Sequence, residues 1–157
     1  MPMPLVRKGA AFLRLPAFVQ LWFVPAWLLL GLARATILVI PFPRLARTFG
    51  HPLGTAAWVP LADARQCARA RQVGLAVRVA ARHTPWTSNC FPQALAARLL
   101  LALYRVPCTL CFGLVRDAGT VKAHAWIVCG PVAVTGGAGF GHYTVVGAFA
   151  SCPPRAA

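Results

Sequence analysis

Polar side chains are so sparse in the first third of the chain that one apolar run dominates it. Nothing polar occurs from Leu21 to Ala33; Arg34 follows, and a second apolar run continues to Pro43. A membrane span needs about 20 predominantly apolar residues. This run reaches that length only by including Arg34, and Pro25 and Gly31 interrupt it. The pattern therefore predicts a pair of short buried or interfacial helices within residues 1–60, with a single membrane span as the alternative. Over 61–82 the period changes. Cys67, Ala70, Val73 (or Gly74), Val77 and Ala81 recur at helical spacing, with arginines spread over the rest of the surface. Asp63 stands where it can cap this helix, and Cys67 falls on its core stripe.

Beyond residue 84 the pattern changes again. "TPWTSN" is a turn cluster, and "FPQALAARLLLALYR" is a helix whose Pro92 is tolerated only in the first turn. "CTLCFGLV" and "KAHAWIVC" read as strands joined through "RDAGT", a hairpin signal, with "PVAVTGG" and "HYTVVGAF" as third and fourth strands. A helix followed by antiparallel strands is an α+β arrangement. We divide the chain into an apolar helical N-terminal region, 1–60, and an α+β domain, 61–157, which holds the candidate chemistry.

Composition sharpens the picture. The chain has 157 residues, 59% of them hydrophobic, and carries sixteen Lys and Arg against two acids, Asp63 and Asp117, for a net charge of +14. That excess suits an acidic partner, and the arginines flanking the apolar run suit an anionic lipid surface. Nothing Gly-rich or RNP-like supports nucleic acid. Two carboxylates are too few for paired-carboxylate catalysis or oxygen-ligand metal sites. The six cysteines show no regular disulfide spacing, and the N-terminus lacks the pattern of a secretory signal. The reading is a reduced, cytoplasmic protein with peripheral membrane association. Cys108 and Cys111 have CxxC spacing, but on a strand they point to opposite faces; zinc would need Cys129 or His142 as well. No metal or cofactor is expected.

The candidate chemistry lies in "HTPWTSNCFPQALAARLLLALYRVP". Ser88 or Asn89 caps the helix, which places Cys90 in its first turn. There, free backbone N–H groups and the positive end of the helix dipole stabilise a thiolate, the reactive form of cysteine. Gln93 lies on the same side and is a candidate oxyanion donor beside the Cys90 amide. His124, in "KAHAWIV", has small neighbours and is the candidate base, with Trp126 two residues on to exclude water. Trp86 and Trp126 are candidate substrate-binding residues. His51 and His83 have weaker positions.

The run "PW…C.PQALAARLLL…VPCTL.FGLVRD…KAHAWIV..GPVAV.GG" resembles the lasso-peptide leader peptidases, small transglutaminase-like cysteine proteases that act on ribosomally made precursor peptides. The resemblance covers residues 85–150 closely and the N-terminal region loosely. It implies a transglutaminase-like, papain-like core, with Cys at a helix N-terminus packed on an antiparallel sheet and apolar helices before it. Cys90 would be the nucleophile and His124 its base. It also implies three partners: the precursor peptide with its leader, a separate leader-binding protein, and an ATP-dependent lactam synthetase. Two features depart from the family. The acid expected about a dozen residues beyond the His is absent from "VAVTGGAG", which leaves Thr135, a backbone carbonyl or His142 to orient the imidazole. Residues 1–60 also lack the alternating strands of a fused leader-binding domain. Two other readings stand beside the peptidase: acyl transfer by the same Cys–His pair, and a non-catalytic membrane-associated scaffold.

Overall fold

The structure is a computed structural model that describes residues 11–56 and 58–152. Helix α1 spans Ala17–Val39, and the short helix α2, Phe42–Ala46, follows behind Pro41. The two short helices expected for the N-terminal region are thus one helix of 23 residues that runs through Pro25 and Gly31. Proline removes one helical hydrogen bond. Tertiary packing offsets that loss: Val19, Ala26, Leu30 and Ala33 are buried on one side of α1, and small residues at this contact let the neighbouring helices approach closely.

Helix α3, Ala64–Ala81, begins as its sequence predicts. Asp63 accepts from the Gln66 backbone N–H at 2.8 Å, and Gln66 Oε1 accepts from the Asp63 N–H at 3.0 Å. This reciprocal capping box satisfies two otherwise unpaired donors. Cys67, Ala70, Val73, Gly74 and Val77 face inward as the stripe requires. Helix α4, Cys90–Leu103, buries Ala94, Leu95, Ala97 and Leu101 on the same core.

The five-stranded antiparallel sheet has the order β1-β5-β2-β3-β4. Its strands are β1 (His51–Gly54), β2 (Cys108–Asp117), β3 (Thr120–Cys129), β4 (Val132–Thr135) and β5 (Thr144–Ser151). The β2–β3 hairpin closes over Ala118 and Gly119, both at positive φ, the two-residue turn that matches the strands' twist. Strand β1 was not expected. "HPLG" is too short and too exposed to carry an alternating pattern, and only pairing with β5 makes it a strand. Residues of the N-terminal region therefore complete the sheet formed by residues beyond 61, and Leu45 and Phe49 join its core.

The sheet separates two cores. The larger lies under the helices and takes Cys108 and Leu110 from β2 with Ala125, Ile127 and Cys129 from β3. The smaller, on the other face, takes Cys111, Trp126, Val128 and Ala148. Cys108 and Cys111 fall in different cores, as strand alternation demands.

Candidate active site

Asn89 is the N-cap of α4, with extended backbone and no hydrogen bond from its side chain. The Ser88 hydroxyl instead pairs with that of Thr84 at 2.8 Å. Gln93 N–H reaches Asn89 O at 3.3 Å, and Pro92 has no N–H to offer. Among the described residues the Cys90 and Phe91 amides make no such bond, so two donors at the positive end of the helix are free for an anion. The Gln93 side chain donates to Ser88 O at 2.8 Å. The oxyanion role expected of it is thus left to its second N–H, while the first holds the turn in place.

Burial separates the thiols. Cys67, Cys108, Cys111 and Cys129 are buried, Cys90 is half-buried and Cys152 is exposed. Burial pushes the Cys108 thiol up to about 12, despite the opposing pull of the Arg98 charge. It pushes Cys111 and Cys129 up to about 11. Those three remain neutral thiols near neutral pH and are poor nucleophiles. Cys90 alone combines access with a helix N-terminus.

His124 lies on the rung opposite Gly113. Its Nε2 is 2.7 Å from the carbonyl oxygen of Gly136. A carbonyl only accepts, so in the neutral ring Nε2 carries the hydrogen and Nδ1 holds the lone pair of a base. The ring stacks on Tyr143, with centroids 4.7 Å apart, and on Trp126 at 5.8 Å. Glycine makes this packing feasible. A Cβ on Gly139 would stand 2.2 Å from the Trp126 ring, and one on Gly136 would stand 2.6 Å from Trp126 Cβ.

Cys90 and His124 lie on opposite faces of the sheet. Phe91 packs on Phe112 at 5.2 Å, and Phe112 pairs with Ala125, next to His124. Cys90 packs against the helix-side core, whereas the imidazole lies with Trp126 and Tyr143. Among the described residues no hydrogen bond joins the two side chains. The ladder between β3 and β4 stops at Ile127–Thr135, so β3 is the sheet edge at His124.

Three expectations require correction. Thr135 does not orient the imidazole: it is buried and its hydroxyl has no hydrogen-bond partner. The neighbouring Gly136 carbonyl takes that place, twelve residues beyond His124. Trp126 is wholly buried, so it supports the imidazole from beneath and does not touch substrate. Trp86 packs on α1, 4.6 Å from the Trp27 ring, where a Cβ on Gly31 would come within 2.9 Å of it. It holds the Cys90 turn to the N-terminal helix rather than lining a groove. Asp117 pairs with exposed Lys122 and lies opposite Thr120, four positions from the His124 rung, or about 13 Å along the strand. Tyr143 and Gly136 were missed from sequence. The glycine-rich "TGGAGFGHY" was the available signal, since such a segment permits close backbone approach.

The sequence model of the Transglutaminase-like superfamily matches residues 36–148, well over half of the chain and including Cys90 and His124. No curated protein and no solved structure matches the chain.

Proposed function

Since the chain belongs to the transglutaminase-like superfamily, whose members are typically cysteine-based hydrolases or transferases, we propose that it is a cysteine peptidase that removes the leader from a lasso-peptide precursor. The observation that carries the chemical part is the fixed tautomer of His124. With Nε2–H donated to Gly136 O, Nδ1 keeps the lone pair that a base needs, and Cys90 opens α4 beside two unpaired backbone amides. The Cys90 Sγ attacks the last carbonyl carbon of the leader, and its proton passes to His124 Nδ1. The Cys90 and Phe91 N–H groups receive the oxyanion. Collapse breaks the C–N bond, and His124 returns the proton to the departing amine, the new N-terminus of the core peptide. Water then hydrolyses the thioester and regenerates the thiol. The substrate class rests on the motif resemblance over residues 85–150. In this reading a separate protein presents the leader, and an ATP-dependent synthetase uses the freed amine to close the lactam.

The test combines the protein with precursor, leader-binding protein and synthetase, and weighs the products. Wild type is expected to release intact leader, while Cys90→Ala and His124→Ala release none and Cys152→Ser is unaffected. Full processing by Cys90→Ala ends the peptidase reading. Leader recovered with an added small amine at its C-terminus identifies acyl transfer instead.

A further inference from the structure

We propose that the outer face of α1 docks on an anionic lipid bilayer, with the helix lying in the plane of the interface. Apart from Gln20, Arg34 and Thr36, α1 is apolar throughout; so apolar a helix is normally enclosed, yet α1 is enclosed on one side only. Opposite the buried Val19, Ala26, Leu30 and Ala33, it presents Leu21 at 73% exposure, Val24 at 60%, Leu28 at 59% and Leu32 at 60%. Their spacings of three, four and four residues make one continuous stripe. Val39, seven residues beyond Leu32, extends it at 79% exposure.

The charge around the stripe identifies what covers it. Exposed Arg14 precedes the helix, and exposed Arg44 and Arg47 follow it on and after α2. The chain's only two carboxylates, Asp63 and Asp117, lie outside both helices. Leucines in a row with cations at both ends fit acyl chains bordered by anionic headgroups. A second copy of this chain would bring the same positive charge to the contact, so like charge opposes self-association there.

Length and composition alone would let α1 cross a membrane. Its inner face argues for lying on the surface. Trp27 Nε1–H donates to His83 O at 3.2 Å, and the packed residues Ala26, Leu30 and Ala33 belong to the same core as Val73 and Leu101. A spanning α1 would strip that core open, whereas docking buries the outer stripe and leaves every inner contact in place.

The proposal is independent of the peptidase assignment and is tested without activity, by flotation. The full chain is mixed with vesicles of phosphatidylcholine, with or without phosphatidylglycerol, at low and high salt. It is expected to float with the anionic vesicles at low salt and to partition about 100-fold less into neutral ones, about fivefold for each of three arginines. The triple variant Leu21→Gln/Leu28→Gln/Leu32→Gln is expected to stay at the bottom while its circular dichroism is unchanged. Single Leu28→Gln, run in parallel, is expected to weaken flotation several-fold if the triple change disturbs folding. Arg44→Gln/Arg47→Gln should remove most of the preference for anionic lipid. Equal partition into neutral and anionic vesicles, flotation indifferent to the leucine changes, resistance to high-salt and alkaline extraction, or a dimer that does not bind vesicles would each overturn it.

Discussion

Replacing Gly136 with alanine tests the arrangement that fixes His124, and its cost divides into two parts. Gly136 has φ +76, and a Cβ there would lie 2.6 Å from Trp126 Cβ and 2.7 Å from Ala125 O. The left-handed conformation costs an L-residue about 1–2 kcal/mol. Overlap with a buried side chain and a strand carbonyl adds about 1–3 kcal/mol, because neither partner has a flexible end to move. Gly137 supplies the control: it has φ +64 with nothing within 4 Å of its Cβ, so Gly137→Ala carries only the conformational part. At about 2–4 °C per kcal/mol for a chain of this size, Gly137→Ala should lower the melting temperature by about 2–8 °C. Gly136→Ala should lower it by about 2–12 °C more. Relief of the clash also moves the Gly136 carbonyl away from His124 Nε2, so leader cleavage should fall in Gly136→Ala below the folding midpoint and persist in Gly137→Ala. Differential scanning calorimetry with cleavage assayed by mass spectrometry provides both readouts. If the two variants melt together and cleave alike, the close packing of Gly136 on Trp126 is wrong, and so is the role given to its carbonyl.

Native alkylation with iodoacetamide at pH 8 should label Cys90 and Cys152 and spare Cys108, Cys111 and Cys129, read by peptide mapping. With thiols pushed to about 11–12, the thiolate fraction there is only about one in a thousand to one in ten thousand. The same burial makes stability depend on pH in a fixed direction. These thiols ionise near 9 when unfolded and higher when folded, so their contribution is complete below about pH 9 and is lost as pH rises toward 11, as denaturant melts across that window will show. Asp117→Asn should leave cleavage within about twofold and stability within about 1 kcal/mol, since its ion pair with Lys122 is exposed; loss of cleavage with the fold intact would make Asp117 part of the site. Asp63→Ala removes a two-way cap and should destabilise by about 1 kcal/mol, seen as a melting temperature lower by about 2–4 °C.

What the sequence determined by itself is what short-range physics controls. The stripe Cys67–Ala70–Val73–Val77, the Asp63 cap, the turn before Cys90 and the four strands from Cys108 onward all follow from periodicity, capping chemistry and turn residues within a few positions. The opposite facing of Cys108 and Cys111 follows from strand alternation alone. The candidate nucleophile and base were legible for the same reason, since a cysteine opening a helix and a histidine among alanines on a strand are local patterns. Tertiary structure decided the rest. Pro25 and Gly31 weaken α1 locally, yet packing on α3 and α4 keeps it continuous. "HPLG" becomes a strand only because β5 offers an edge to pair with. The partner of His124 is a backbone carbonyl, and every residue has one, so composition could not single out Gly136. That Trp126 lies sealed beneath the imidazole depends on two glycines that let the loop after β4 close over it. Pairing, closure and burial at long range are set by which surfaces meet, and one-dimensional pattern contains no record of that meeting.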